Sequence, residues 1–465
     1  FMKTSIIPQD FQLVVDKTKA KKMKKLILIV LTFLICQTAS AEVAVTIYNN
    51  DLGLVRDLRN LTFPEGIGEI RFSDVAERII PTSVHFYSER AELLEQNYEY
   101  DLVDARKILK KYVDQRIHLF TEGDGSFVGT LLAASGDIVL KEDDNSIRVL
   151  SVSKIYNYHF PTLPEGLITK PTLVWTVQSS KGGPGEGEVS YLTEGISWAA
   201  EYIAVTNADD KALGFTGWVN IENNCGASFK DAKLKLIAGD VQILKENRHK
   251  GRQIYAMDAA VTMEGARSFE EESLFEYHLY TLQRKSTILN NQIKQISLFP
   301  EAEVGKVEKE YRFDYGKWQN KINVSLSFDN TKVNNLNIPL PRGKVRVYKA
   351  SSTGDLEFIG EDRIDHTARK EKVKVSTGKA FDVVGERTVI NEKRRGNDRQ
   401  SEVEIKIRNR KKESVEVIVS EEIWGDWTML EATGGWNKVS SNRVEWKVIV
   451  RPDEEKIINY HVQKH

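Results

Sequence analysis

Residues 402–423 read EVEIKIRNRKKESVEVIVSEEI, and their rhythm decides how this chain folds. Val403, Ile405 and Ile407 alternate with charged residues. After NRKKES (409–414) the same beat returns at Val415, Val417 and Val419. An apolar residue at every second position marks a strand with one buried face, whereas a helix needs spacings of three and four. NRKKES is then the turn joining two strands. The rhythm recurs in both directions along the chain. Val43, Val45 and Ile47 carry it, as do Ile322, Val324, Leu326 and Phe328, then Val345 and Val347, then Val444, Trp446, Val448 and Val450. Turn clusters such as NNDLG, PEGIG and KGGPGEG separate the runs. Short strands at this spacing predict an all-β, multidomain protein built of sandwiches. Residues 397–465 read as a terminal immunoglobulin-like sandwich, whose charged residues alternate with buried ones.

One helix is expected. In YDLVDARKILKKY, Leu102, Ala105, Ile108, Leu109 and Tyr112 share a face, and Asp101 is the expected N-cap. Lys107, Lys110 and Lys111 suit the negative end of the helix dipole. Very short strands with Gly-Asp turns follow, so residues 101–156 read as a small inserted barrel of SH3 or Sm type. The remaining units are a front β region (42–100), a sandwich (157–240) and a further β domain (274–396). Residues 241–273 lack alternation and read as a flexible linker. NEKRRGNDRQ (391–400) is a second polar break.

The front of the chain is a leader. Residues 23–41, MKKLILIVLTFLICQTASA, combine Lys24 and Lys25, an apolar run and the small residues Ala39, Ser40 and Ala41. That is a secretory signal peptide with cleavage expected after Ala41. The apolar run is about half of the roughly 20 residues that span a bilayer. Residues 1–22 read as an extension from a start site assigned too early.

The 465 residues include 66 basic and 67 acidic ones; the first 41 hold 7 and 2, leaving 59 against 65 and a net charge of −6. A mildly acidic, mixed surface does not suit nucleic acid, which needs clustered basic residues. After residue 41 the one cysteine is Cys225. No intramolecular disulfide is possible there, so stability must come from packed cores.

Several stretches together resemble bacterial exported proteins carrying domain of unknown function 4139. They are SYLTEGISWAAEYIA (190–204), GWVNIENNCGASFKDAKLKLIAGDVQ (217–242), LFEYHLYTLQRKSTILNNQIKQISLF (274–299), IPLPRGKVRVYK (338–349), FIGEDRIDHT (358–367) and GKAFDVVGERTV (378–389). The resemblance covers roughly residues 170–465, and LTFPEGIGEIRFSDVAERIIPTSV (61–84) is also similar to the front of such proteins. It implies export and a β-rich fold. It brings no catalytic residue or ligand. The family's linker before FEYHLYTL is usually rich in Ala, Pro and Met; here it is shorter and less biased.

Few residues look like chemistry. Cys225 sits in NNCGAS, where Asn223 and Asn224 tolerate left-handed backbone and Gly226 adopts it easily, so it reads as structural. A nucleophilic cysteine needs a nearby base, and the nearest histidine in sequence is His249. GEDRIDH (360–366) gathers Glu361, Asp362, Asp365 and His366, a set suited to a divalent metal or acid–base work. Arg363 within it favours an ion-paired turn. His278, between Tyr277 and Leu279 in EYHLYTL, reads as packed and hydrogen-bonded, with Tyr280 on its side of the strand. GKAFDVVGER lacks the spacing and the Ser or Thr of a phosphate loop. Trp424, Trp427 and Trp436 form the best binding hint, since aromatic platforms stack on sugars and peptides. Trp198 and Trp218 are expected in cores. No catalytic residue, metal site or cofactor is assigned. The expected function is non-enzymatic binding or scaffolding of an envelope protein or glycan. The alternative is a metal-dependent or acid–base hydrolase using Glu361–His366 with His278.

Overall fold

The computed structural model describes residues 42–465 apart from 124, 165, 240, 243–268, 276, 316–320, 352 and 397. The leader and most of the expected linker therefore lie outside the described residues. The end of that linker does not: Phe269–Leu274 is a strand. Among the described residues there are 30 strands and one α-helix, Ala105–Lys111, so the all-β reading holds. The strands form sheets of eight, five, three, five and nine members. No helix among the described residues is long and apolar enough to cross a membrane.

The front of the chain does not fold on its own core. Glu42–Tyr48 lies parallel to Phe229–Ala238, with Ala44 opposite Lys233 and Tyr48 opposite Ile237. Leu52–Phe63 runs antiparallel to Gly183–Glu194 along its whole length. Periodicity says which face of a strand is buried but not which strand lies beside it, so this long-range pairing was invisible in the sequence. The resulting first sandwich has one continuous core, holding Val45 and Ile47, Trp175, Trp198 and Tyr202 from three different sheets. Trp175 is fully buried. Its ring packs on Phe72 and Phe86 at centroid distances of 5.4 and 4.6 Å, and its Nε1–H donates to Gln96 Oε1 at 3.0 Å. Trp198 is also in the core, with its Nε1–H donating to the Ile237 carbonyl. Trp218, by contrast, lies on the outer face and is half-buried. Val219 and Ile221, both fully buried, take the inward positions of its strand.

The inserted module differs from expectation in two ways. The N-cap is Asp104, whose side chain accepts from the Lys107 amide at 2.9 Å. Asp101 lies outside the helix and pairs with the Lys107 and Lys111 ammonium groups at 3.2 and 3.8 Å. The two aspartates are three positions apart, and the cap falls to the one whose carboxylate reaches a free amide of the first turn. Beyond the helix, the five strands form an open sheet rather than a closed barrel. Ile155–His159 and Ile147–Leu150 are its two edges and are not hydrogen-bonded to each other. A single 3-10 turn, Val152–Lys154, carries the chain from one edge to the other. Ile117, Leu119, Leu131, Ile138 and Leu140 fill a small separate core with Tyr112.

The stretch 402–423 forms two strands, but they are not neighbours. Asp398–Asn409 pairs with Lys372–Arg395 and Glu455–Lys464. Val415–Glu422 pairs with Glu308–Asp314 and Arg443–Val450. The turn between them crosses from one layer to the other. Asn409, fully buried, holds it: Nδ2 donates to the carbonyls of Glu413 at 2.8 Å and Val450 at 3.0 Å, and Oδ1 accepts from the Lys411 amide at 2.9 Å. The two outermost strands of the nine-stranded sheet meet through Trp427 and Trp436, whose rings are 6.3 Å apart. This second sandwich extends beyond residues 397–465. Its core includes Tyr311, Phe313, Ile322 and Val383. The polar break at 391–400 is a hairpin tip inside it, with Arg395 opposite Asp398.

Two strands belong to both sandwiches. In Lys321–Asp329, Phe328 lies in the first core and Ile322 in the second. In the 24-residue strand Lys372–Arg395, Val373 and Val375 lie in the first and Val383 in the second. Where they pass from one to the other the register slips: Ser325 faces Ser376, but Val324 faces Gly378, leaving Thr377 as a bulge.

Candidate functional site

The bulge opens a pocket of about 280 Å³ at the joint between the sandwiches. Its construction follows from local backbone. The strand Leu356–Ile364 carries its own bulge at Ile359, between Phe358 opposite Tyr348 and Gly360 opposite Val347. There it crosses against Thr377, and a Cβ on Gly360 would meet the Thr377 carbonyl oxygen at 2.3 Å. Only glycine permits that approach without displacing backbone. Asp362 then ties the crossing together, accepting from the Ser376 amide at 2.7 Å and from the Arg363 amide at 2.8 Å.

Lys309, Lys349, Lys379 and Lys411 line the pocket together with Asp210 and Asp382. Asp210 sits in a turn held by Asn207, whose Oδ1 accepts from the Lys211 and Ala212 amides. Its carboxylate accepts from Lys349 Nζ at 2.5 Å and Lys309 Nζ at 2.8 Å. Burial works to raise the Asp210 carboxyl, but those two ammonium groups outweigh it and hold it below the usual carboxylate range. Burial likewise disfavours the Lys309 ammonium, but the Asp210 hydrogen bond together with the charges of Tyr311 and Asp210 raises it above the ordinary lysine value. Lys411 donates to Tyr311 Oη at 3.0 Å and Glu413 at 2.5 Å. Burial, then the neighbouring Lys321 ammonium, push Lys379 below the ordinary lysine value. Phe381 stands in the lining and is 93% exposed. Four ammonium groups and two carboxylates line the pocket, and the carboxylates of Glu413 beside Lys411 and Asp314 near Lys379 offset part of the positive charge.

None of these lysines stood out in the sequence. Each occupies a position where lysine is an ordinary solvent-facing residue, and they come from segments up to a hundred residues apart. The one available signal was Gly378-Lys379-Ala380-Phe381, where a glycine and an exposed aromatic interrupt a strand.

The residues singled out from the sequence lie elsewhere. The Glu361–His366 set is spread along one strand and the turn after it. Glu361 faces Arg346 at 3.5 Å and Lys344 at 3.6 Å. Asp362 serves the strand crossing. Asp365 is exposed and engages Thr367 through its backbone carbonyl. His366 Nδ1 accepts from the Arg342 amide at 3.2 Å. His278 lies in the eight-stranded sheet, its Nδ1 2.7 Å from Glu271 Oε1 on the neighbouring strand. Tyr280, two residues along the same strand, is buried and donates to the Pro339 carbonyl at 3.1 Å. Among the described residues no group of three or more His, Cys, Asp or Glu is arranged to hold a metal ion. The tryptophans divide. Trp427 is buried and donates to the Ser441 carbonyl at 2.9 Å, with Lys438 Nζ 4.4 Å above its ring. Trp436 packs against the same core, while Trp424 is 67% exposed.

Cys225 is fully buried and belongs to the first core. Its turn works differently from the sequence reading. Gly226 takes the left-handed conformation at φ 87°, but Asn223 and Asn224 do not. Asn223 instead acts through its side chain, accepting from the Cys225 amide and donating to the carbonyls of Ala227 and Leu289. Burial pushes the Cys225 thiol up to about 11. The folded protein should therefore resist thiol reagents at pH 8 and react at Cys225 only in denaturant. Rapid labelling of the native chain would contradict this burial.

Comparison with family models finds no match, and comparison with curated proteins finds none similar.

Proposed function

We propose that this is an exported, non-enzymatic protein that binds or scaffolds a protein or glycan partner in the cell envelope. It would be of the kind that carries domain of unknown function 4139, with its leader removed after Ala41. The observation that supports a binding role is the pocket at the joint. Two bulges, a glycine crossing and a carboxylate shared by two lysines hold its walls, and it leaves Phe381 exposed at its side. Pockets where two layered units meet are a common place for recognition. Trp424 offers a second exposed aromatic on the same sandwich. The test is photo-cross-linking in cells, with a photoreactive residue placed at Phe381, at Trp424 and, as a control, at Val333. Val333 is 87% exposed and outside the pocket lining. A discrete adduct from Phe381 or Trp424 that Val333 does not give is the expected result. Adducts no different from the control would end the binding reading.

A further inference from the structure

Resting on that binding role, we propose that the pocket at the joint receives one oxyanionic group, a carboxylate or a phosphate, on a unit of the partner no larger than a single sugar. Charge points to the anion. Two of the lining lysines share the single carboxylate of Asp210, and each ammonium has three N–H donors. Asp210 takes one from each, so donors on both remain for an incoming oxygen. Lys411 approaches from the second sandwich and is held by Tyr311 and Glu413. Lys379 stands beside another cation, Lys321, in a partly desolvated position. Asp314 already offsets part of that repulsion, and an anion in the pocket would add to that offset. The cluster spans both sandwiches, so the ligand touches each of them.

Size limits the rest of the ligand. About 280 Å³ is at the lower end of the roughly 300–1,000 Å³ typical of small-molecule sites. One sugar ring or a small organic acid fits; a peptide of several residues does not. Phe381 gives such a ring an apolar face to lie against.

The experiment is calorimetric titration of the purified chain with inorganic phosphate, glucuronate and neutral glucose. Phosphate and glucuronate should bind, glucose should not, and added salt should weaken both anions. The double variant Lys379→Met/Lys411→Met should bind at least about tenfold more weakly, the scale of one lost charge-assisted hydrogen bond. That variant keeps Asp210 and both its lysines, and an unchanged circular-dichroism spectrum and melting curve would show that it folds. Phosphate binding without glucuronate would support the oxyanion and name the free ion as its source. Two results overturn the proposal: no anion binding, or anion binding unaffected by the double substitution. Glucose binding that survives the substitution also overturns it, while leaving the pocket as a binding place. Failure of the cross-linking at Phe381 and Trp424 would instead remove the parent reading.

Discussion

Arg387→Met should destabilise the second sandwich by about 3–5 kcal/mol, because it strands a buried carboxylate. Arg387 grips Glu421 through Nε at 3.0 and 3.1 Å and donates to Tyr460 Oη at 3.0 Å, while Tyr460 donates to Glu421 at 2.7 Å. Glu421 is 4% exposed. Burial pushes its carboxyl above the usual range despite the guanidinium beside it. Removing Arg387 leaves only Tyr460 to solvate that charge. Glu421→Gln should cost less, since the Arg387 guanidinium it leaves without a counter-ion is 15% exposed against 4% for the carboxylate and keeps the amide oxygen and Tyr460 as acceptors. The pH dependence has a definite sign. A carboxyl raised on folding favours the folded state fully below its unfolded pKa of about 4.3, and that favour is lost as pH rises through the folded value. Without Arg387 the folded value rises further. The stability gap between Arg387→Met and the parent should therefore narrow as pH falls from neutrality towards about 4. Urea titrations followed by tryptophan fluorescence report it, since Trp446 stacks on Tyr460 at 5.5 Å. A variant with the parent's midpoint at pH 7, or a gap that widens on acidification, would refute this account.

Trp175→Ala should cost the first sandwich about 3–5 kcal/mol, as expected for deleting a fully buried indole from a core that collapses only partly around the void. Phe72 and Phe86 lose the ring between them, and Gln96 Oε1 loses its donor. Trp175→Phe should restore most of the stability, because it refills the volume and forfeits mainly the indole hydrogen bond. Thermal denaturation separates the two variants. If Trp175→Ala melts with the parent, Trp175 is not the centre of the core described here.

The contrast between these residues shows what a single sequence discloses. Val403, Ile405 and Ile407 announce a strand because the pleat imposes their spacing locally. Nothing local states that their strand borders Glu455–Lys464 rather than Val415–Glu422, since pairing is chosen by the whole layer. The same gap explains the tryptophans. Trp427 and Trp424 lie three residues apart and look equivalent, yet only Trp427 reaches a core and a carbonyl for its N–H. The GEDRIDH cluster was dense in sequence and is dispersed in space, because residues along a strand face opposite sides. The lysines of the pocket show the reverse: dispersed in sequence, they converge where two bulges meet.

The parallel pairing of Glu42–Tyr48 with Phe229–Ala238 carries a consequence for biogenesis. The strand that leads the described chain pairs locally with Leu52–Phe63 but must wait for its second partner, roughly 190 residues downstream. At about 5–20 residues per second, translation alone imposes roughly 10–40 s of that wait. Throughout it, only Leu52–Phe63, the next strand in the chain, can pair with Glu42–Tyr48, and the other edge of that strand stays open. A polypeptide of this topology gains from a holding chaperone before its first layer can close.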